Sequence, residues 1–594
     1  MESTDGDLIL KGVHIEDNHG SIKLNAQRDV LISGLISSRT DTKLVELKDI
    51  GPDLKNGNTK KSKEFETLTK TIIKSNKNIE LTAEGDTRLV GVEIKAAGEL
   101  KLKTKGSIAI TPQETKKSNM NYTGFTQWGA LGGSEKDLDS KYNYENQQSD
   151  LIGSNVYIVA DGNISIISSK VNANNNISIE SKGNVFLNGL LDKETISFTK
   201  ETGGAFNVIT NSNKRIDNNE NFIDTEITSN GDVDIDSNNI FIDGALINTK
   251  NKLKIKSKGN VIATAARQQQ RSDEEKSDLS WQWYAKSQGD KQYRAGFEVI
   301  HAQDKESNRK LNQHLATLTG ADINISAVED IRFFGTEIKT NQGDLTLSAD
   351  KGVQFLSAVN SNMTSKERSI YAGGAHYDGG IDNFGSGAEV KYNNNKSYEM
   401  TNISIGSKTD INGNMKITAK EDVTHQGANH RVSGEYHENA KNIYHMASND
   451  KTIRDNTEKE IKSGIGFNID YSKYTRQIEK IIKDPMNTLQ HLGGQGSLKG
   501  ISDPNFGLDV YGSGGNTTRS GFSSLALVTE IEAGDIILTA QKDVMDVGTQ
   551  YKIKGKDEKS GFFNLAAANH YNNTAINSSQ EKENNHSPSA LPKP

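Results

Sequence analysis

The chain has 594 residues, of which 33% are hydrophobic and 25% charged, with 54 glycines and 7 prolines. This is a small supply of apolar side chains for one compact core, yet the internal pattern is too regular for a disordered chain. The net charge of −7 combines 71 basic and 78 acidic residues without a strong block of either sign, which argues against a nucleic-acid binder.

The sequence shows neither a membrane-spanning helix nor a signal peptide. No apolar run reaches the roughly 18 residues that a transmembrane helix needs. Residues 1–20 lack the basic start and apolar stretch of a leader. The absence of cysteine excludes disulfides, thiol catalysis and cysteine-ligated metals. We therefore expect either a cytosolic protein or an internal piece of a longer exported chain.

The dominant feature is a 13-residue repeat. It reads apolar-x-apolar-x-Ala-x-x-Asp and ends on glycine five residues later, and it occurs at 22–34, 79–91, 323–335, 415–427 and 536–548. The apolar alternation is the two-residue period of a strand with one buried face. The Ala-x-x-Asp step suits a tight corner between strands.

Strands restart every seven or eight residues, as at Ile323, Ile331, Ile338, Leu345 and Val353. Spacings this short leave no room for crossover helices, and three such strands give a coil of roughly 20–22 residues. The pattern predicts an all-β fold, a right-handed parallel β-solenoid (β-helix) in which each coil buries its apolar row on the next. The alternative is an array of β-sandwiches, which needs two-residue hairpin turns that are scarce here.

Long segments of different composition interrupt this pattern. We expect a solenoid over 1–427 with hairpin or loop excursions at 37–71, 112–150, 192–226, 266–319 and 359–399. An irregular insertion follows at 428–529, then final coils at 530–575 and a disordered tail at 576–594. The excursions hold most aromatic residues, including Trp128, Trp281 and Trp283, and the glycine-rich stretch 371–393 is typical of extended hairpins. Equivalent aliphatic positions recur with a super-repeat of about 70–90 residues.

One segment has a helical pattern. In 474–492, Ile478, Ile481 and Ile482 share a face before Pro485 interrupts it. The sequence predicts a short helix packed over a break in the solenoid, with a membrane-active or partner-binding helix as the alternative.

The repeat, the super-repeat and the glycine-rich interruptions together resemble the haemagglutinin repeats of filamentous-haemagglutinin and contact-dependent-inhibition exoproteins. The resemblance covers roughly 5–575 and is closest over 466–485 and 503–551. It implies export by two-partner secretion through an outer-membrane transporter, and a β-helical fibre at the bacterial surface. It also implies adhesion to a receptor or glycan on a target cell, or delivery of a toxin. Because the secretion-signal domain and a VENN-like motif are missing, we expect a section of a longer protein.

No residue is predicted to be catalytic, cofactor-binding or metal-binding, and no cofactor is expected. The ladder aspartates are interpreted as corner formers rather than catalysts: Asp29, Asp86, Asp330, Asp422 and Asp543. A histidine cluster is interpreted as exposed side chains of an excursion, because its spacings match neither a helix nor a strand face: His425, His430, His437 and His445.

The sequence thus favours a structural and interaction protein, secreted or at the cell surface, whose aromatic excursions make the contacts. The alternative from another class is a β-helix polysaccharide-cleaving enzyme, which predicts a groove with clustered acidic and basic side chains.

Overall fold

The computed structural model describes residues 1–48, 55–127, 132–204, 209–289, 292–380, 383–470, 505–555 and 560–586. All regular structure in these ranges is β, and the strands are numbered β1 to β54 in chain order. Over the same ranges, no helix has the length and apolar character needed to cross a bilayer. The predicted helix at 474–492 and Trp128 lie outside the described residues.

Three parallel sheets form the shaft, and the first has 14 strands. Its strands are β1 (Glu2–Ser3), β4 (Ile22–Ala26), β9 (Ile79–Ala83), β12 (Glu99–Thr104), β17 (Asn155–Ala160), β20 (Ile177–Ser181), β25 (Val233–Ser237), β28 (Lys252–Ser257), β33 (Asp322–Ala327), β36 (Leu345–Ala349), β41 (Met415–Ala419), β44 (Glu435–Ala440), β49 (Asp535–Ala540) and β52 (Phe563–Ala566).

The second parallel sheet also has 14 strands. They are β2 (Leu8–Lys11), β5 (Val30–Ser33), β10 (Thr87–Val90), β13 (Ile108–Thr111), β18 (Ile164–Ile167), β21 (Asn184–Asn188), β26 (Asn239–Asp243), β29 (Val261–Thr264), β34 (Ile331–Phe334), β37 (Val353–Leu356), β42 (Asp422–Gln426), β45 (Asn442–Met446), β50 (Asp543–Val547) and β53 (Asn569–Asn573).

The third parallel sheet has 13 strands. They are β3 (His14–Asp17), β8 (Thr71–Ser75), β11 (Val92–Ala96), β16 (Asp150–Gly153), β19 (Lys170–Ala173), β24 (Glu226–Ser229), β27 (Leu246–Thr249), β32 (Thr317–Gly320), β35 (Glu337–Thr340), β40 (Lys408–Ile411), β43 (Asn429–Val432), β48 (Thr529–Ala533) and β51 (Thr549–Ile553).

Each coil contributes one strand to each of these sheets, so the predicted parallel β-solenoid is confirmed. Where no hairpin intervenes, equivalent residues of adjoining coils lie 20 to 22 positions apart, as Val233 and Leu253, Ile79 and Leu100, and Ile323 and Leu345 do. Alternate residues of the three sheets are buried and form one continuous core cluster. Because each inward side chain stacks on its equivalent in the next coil, a chain with few apolar residues still obtains a core.

The repeat residues at the corners have defined partners. Asp86 Oδ1 accepts the Ser107 N–H at 2.8 Å, and Asp330 Oδ1 accepts the Gly352 N–H at 2.9 Å. These aspartates therefore tie the corner between the first and second sheets to the following coil, as a corner former should. At the next corner, Gly335 has a φ of 57°, in the left-handed region that suits glycine.

The excursions are antiparallel hairpins that pair edge to edge into a fourth sheet of 13 strands, here called the hairpin sheet. Its strands are β6 (Leu35–Lys48), β7 (Lys55–Thr69), β14 (Gln113–Gln127), β15 (Ser134–Gln147), β22 (Leu190–Gly203), β23 (Ile209–Ile223), β30 (Ala266–Gly289), β31 (Gln292–His314), β38 (Ala358–Gly380), β39 (Asn383–Ile405), β46 (Ser448–Asp470), β47 (Asn505–Leu527) and β54 (Ser578–His586).

The hairpins leave the shaft at every second coil, between a strand of the second sheet and one of the third. Neighbouring strands lie about 4.8 Å apart, so two coils rise by about 9.6 Å, which is also the width of one two-stranded hairpin. Because one hairpin is inserted at every second coil, successive hairpins meet edge to edge and form one sheet.

Two expectations differ from the structure. The insertion expected at 428–529 begins with three solenoid strands, β43, β44 and β45, and only the part from Ser448 joins the hairpin sheet. Histidine and glutamate at inward positions hide the apolar alternation there. The tail expected to be disordered at 576–594 contains β54, which pairs with the edge strand β47 over 516–524. The open backbone groups of that edge stabilise a strand of polar composition.

Candidate interaction surface and buried polar cluster

The hairpins have two lengths. Strands β6, β7, β14, β15, β22 and β23 have 14 or 15 residues, whereas β30, β31, β38, β39, β46 and β47 have 23 or 24. At about 3.4 Å per residue, the long hairpins extend about 30 Å beyond the short ones. The pairing of β23 with β30 ends at Asn211 and Asp278, so the outer part of β30 lies beyond the short hairpins.

One face of this projecting part is apolar. Residues directly paired across a sheet share a face, and four successive rows of one face run through Trp281, Trp283, Ala285 and Ser287 of β30. We call this surface the apolar face. Its exposed large side chains are Trp281, Trp283, Tyr293, Tyr377, Val390, Ile465, Phe467, Phe506, Leu508 and Val510.

These side chains pack on one another but remain open to solvent. Trp283 lies 4.9 Å from Phe297 between ring centroids, and Phe467 lies 6.3 Å from Phe506. The exposed fractions are nevertheless 81% for Trp283 and 70% for Phe506. Six strands and four alternate rows measure about 24 Å by about 20 Å, an area on the order of 500 Å². Apolar patches of this size are the largest on a typical monomer, and they are often functional.

The opposite face of the same strands is polar. Arg294 donates two hydrogen bonds to the Asp378 carboxylate, at 2.6 and 2.9 Å. Gln282 donates to Glu298 at 2.9 Å. The projecting sheet is therefore amphipathic, with charged side chains on one face and large apolar side chains on the other.

Closer to the shaft, the polar face carries a charged depression of about 550 Å³. Two carboxylates that project from this face are paired with cations: Glu306 with Lys366 at 3.2 Å and Glu274 with Lys276 at 2.8 Å. Hydrogen bonds from Asn308 and Lys366 lower the pKa of Glu306. A glycosidase needs one carboxyl with a raised pKa as general acid. This depression therefore gives no support to the polysaccharide-cleaving alternative.

The prediction that the clustered histidines are exposed side chains of an excursion is wrong, because His425, His430 and His445 have no exposed surface. They point inward from β42, β43 and β45, and only His437 of the group faces outward. In the second sheet, one ladder position runs Phe333, Phe355, His425, His445 and Asp546. An aromatic ladder thus becomes polar within the last coils.

Glu438 of β44 lies among these histidines and is also fully buried. Its two carboxylate oxygens lie 2.7 Å from His425 Nε2 and 3.3 Å from His445 Nε2. Tyr436 donates its hydroxyl to the same carboxylate. All three parallel sheets contribute to this group, here called the buried polar cluster: His425, His430, Glu438, His445 and Asp546.

The cluster has strongly shifted pKa values. Burial alone would raise the pKa of Glu438, but the charges of His425 and His445 outweigh burial and hold this pKa well below its usual range. Burial would lower the pKa of His445, yet Glu438 and Asp546 raise it to about 9. Burial lowers the pKa of His430 well below its usual value. The opposite charges of Glu438 and His445 therefore favour the charged form of each other against the effect of burial.

Sequence reasoning predicted that the aromatic excursions make contacts, which stays a prediction, and it did not foresee the apolar face or the cluster. The face depends on register between hairpins that are far apart in sequence. A signal for the cluster was present, since Tyr436, Glu438 and Ala440 alternate with outward residues after Gly434 as in other coils.

Comparison with known proteins agrees with this architecture. The Hemagglutinin repeat family matches residues 54–128, 131–214, 208–322, 301–435 and 401–480. A protein named Hemolysin from Serratia marcescens is 30% identical over 584 residues, and one of the same name from Proteus mirabilis is 28% identical over 570. These alignments cover 98% and 93% of this chain but 36% of each relative, so the chain spans about a third of their length. No solved structure matches.

The repeat matches extend over well more than half of the chain, and each matched region includes strands of the hairpin sheet as well as of the shaft. Coils and hairpins together are thus the repeating unit, and the chain belongs to the hemagglutinin-repeat family of bacterial exoproteins.

Proposed function

We propose that this chain is the rigid shaft of a secreted or surface-associated exoprotein, and that its apolar face docks on the lipid surface of a target cell. The observation that carries the proposal is the position of the apolar face. Among the described residues, it occupies the part of the hairpin sheet farthest from the shaft. The opposite face there carries paired polar side chains, such as Arg294 with Asp378 and Gln282 with Glu298.

The composition of the face suits a bilayer. Trp and Tyr are favoured at the boundary between lipid and water, because they combine an apolar ring with a polar group. Trp281, Trp283, Tyr293 and Tyr377 provide four such side chains. A stable protein dimer buries about 800 Å² on each partner, more than the about 500 Å² of this face. Lipid is therefore the better-suited occupant than a second copy.

The names of the relatives support the same proposal, since a hemolysin is by its name a protein that lyses red blood cells. In this proposal, an outer-membrane transporter of two-partner secretion exports the full-length protein. The shaft then holds the projecting hairpins away from the bacterial surface. Recognition of a receptor or glycan, or presentation of a toxic region, would follow from that contact.

Flotation with lipid vesicles tests the proposal. The purified chain should float with neutral phosphatidylcholine vesicles. The double variant Trp281→Ser/Trp283→Ser should lose at least about tenfold in vesicle affinity, because two large rings leave the contact. Gln282→Ser, on the opposite face of the same strand, should bind as the unaltered chain does.

Circular dichroism of each variant controls for folding. If the unaltered chain stays with the soluble fraction, or if the double variant binds as well as Gln282→Ser, the membrane role is wrong. If the unaltered chain dimerises through this face and ignores vesicles, the occupant is a second copy.

A further inference from the structure

The buried polar cluster differs in composition from the rest of the shaft. Elsewhere in the described shaft, the buried polar side chains are serine and threonine. The inward positions that precede the cluster in its ladders are Phe355 before His425, and Leu347 and Ile417 before Glu438. Burying a carboxylate and three imidazoles is costly unless the groups are paired or bind a metal ion. Their convergence at one level of the shaft therefore needs a compensating interaction.

The ligand atoms converge without satisfying one another. One ligand atom from each of His425, Glu438 and His445 lies within 4.8 Å of the other two. Although the separations of the two Nε2 atoms from Glu438 are 2.7 and 3.3 Å, His425 Nε2, His445 Nε2 and Glu438 Oε2 have no partner in hydrogen-bonding direction among the described residues. Three fully buried polar atoms thus lie close together without a well-directed hydrogen bond.

The other side of each imidazole is held in place. His445 Nδ1 lies 2.8 Å from Asp546 Oδ1. His425 Nδ1 lies 2.8 Å from His430 Nε2, and His430 Nδ1 lies 2.9 Å from Thr409 Oγ1. When the Nδ1 atoms of His425 and His445 donate to these acceptors, the Nε2 atoms of the same two histidines carry lone pairs on the side of Glu438. A carboxylate or another acceptor behind the Nδ1–H is the usual support of a metal-binding histidine.

We propose that His425, Glu438 and His445 form a structural Zn²⁺ site that closes the last coils of the shaft. Two imidazole nitrogens and one carboxylate are a preferred donor set for zinc, whereas calcium and magnesium prefer oxygen ligands alone. Neighbouring ligands of tetrahedral zinc are about 3.3 Å apart. His445 Nε2 lies 3.3 Å from Glu438 Oε2 and His425 Nε2 lies 2.7 Å from Glu438 Oε1, so binding through a single carboxylate oxygen requires small rotations of these side chains. The Tyr436 hydroxyl donates to the same carboxylate.

The ligands come from two successive coils, β42 on one and β44 and β45 on the next. Because the site has no exposed surface, the metal enters while these coils wind together, and zinc binding is coupled to folding.

Metal analysis of the whole purified chain tests this site. The chain is unfolded with a chelator, refolded with or without zinc sulfate, desalted, and analysed for metal content and thermal midpoint. We expect one zinc per chain after refolding with zinc, and a higher midpoint than in the zinc-free sample. Glu438→Gln and His445→Gln should retain less than a tenth of that zinc. His437→Ala, on β44 but facing outward, should retain all of it.

The measurements on the unaltered chain do not depend on whether the variants fold. If the refolded chain retains no zinc and its midpoint is unchanged, the cluster is a proton-bound ion pair and the site does not exist. If zinc binds equally well to the folded Glu438→Gln and His445→Gln variants, the metal lies elsewhere and the assignment is overturned.

Discussion

The shaft and the hairpin sheet are built from the same kind of strand, but they use apolar residues in opposite ways. In the shaft, inward residues such as Ile235 have no exposed surface and stack on equivalents in both neighbouring coils. In the hairpin sheet, both faces meet solvent, and even Trp283 is largely exposed. Apolar side chains therefore hold the shaft together, whereas those at the hairpin ends are available for contacts.

The comparison shows how a solenoid positions a surface. A single hairpin is marginally stable in water, but the shaft sets the spacing of the hairpins and pairs them into one sheet. The surface gains its order from neighbouring strands rather than from a core of its own. Substitutions in the shaft should therefore lower the stability strongly, and matched substitutions in the hairpin sheet should lower it only slightly.

The largest difference is expected for one matched pair of isoleucines. Ile235→Ala should cost about 2–5 kcal/mol of local stability, because it leaves a cavity in a packed ladder. Ile216→Ala in β23 should cost less than about 1 kcal/mol, since Ile216 is already 44% exposed. Hydrogen exchange of the peptides around each site measures both values. Equal costs would mean that the hairpin sheet has a buried core of its own.

A pair of glycines should give an intermediate difference. Gly335→Ala forces a left-handed φ on a residue with a side chain, and its Cβ would lie 2.6 Å from the Cβ of Ala358. We expect a loss of about 1–3 kcal/mol. Gly373→Ala in β38 meets no atom within 4 Å, and should change stability by about 0.5 kcal/mol or less. Hydrogen exchange at increasing urea concentration measures both changes in stability. A Gly335→Ala variant as stable as the unaltered chain would contradict the corner geometry.

The smallest difference concerns two aspartates. Asp86→Ala removes the acceptor of the Ser107 N–H at 2.8 Å, and should cost about 1–2 kcal/mol. Asp455→Ala changes an exposed side chain of β46, and should stay within about 0.5 kcal/mol. The exchange rate of the Ser107 amide is the direct measurement. An unchanged rate would show that the corner does not depend on this hydrogen bond.

The shaft could be predicted from the sequence because its signal is local. Each strand carries a two-residue period, and the 13-residue repeat covers two strands and the corner between them. Strands β43, β44 and β45 were missed because His430, Glu438 and His445 stand where aliphatic residues are expected. Strand β54 was missed because its stability comes from the edge of β47 rather than from its own polar sequence.

The candidate surface could be predicted only in outline. Aromatic residues in the excursions were visible, including Trp281 and Trp283. Their arrangement depends on pairings such as Phe297 with Ala375 and Ile465 with Val510, which join strands that are not recognisable as partners from composition. The cluster likewise required the three-dimensional stacking of coils, since His445 and Asp546 are about a hundred residues apart.

Hydrogen exchange with and without phosphatidylcholine vesicles tests the central claim, that a rigid shaft presents an apolar contact face. The account predicts that vesicles slow exchange in 281–287 and 461–469, on the projecting hairpins, while the shaft segment 323–335 stays protected and unchanged. Unchanged exchange at the hairpin ends, or altered exchange along the shaft instead, would contradict it.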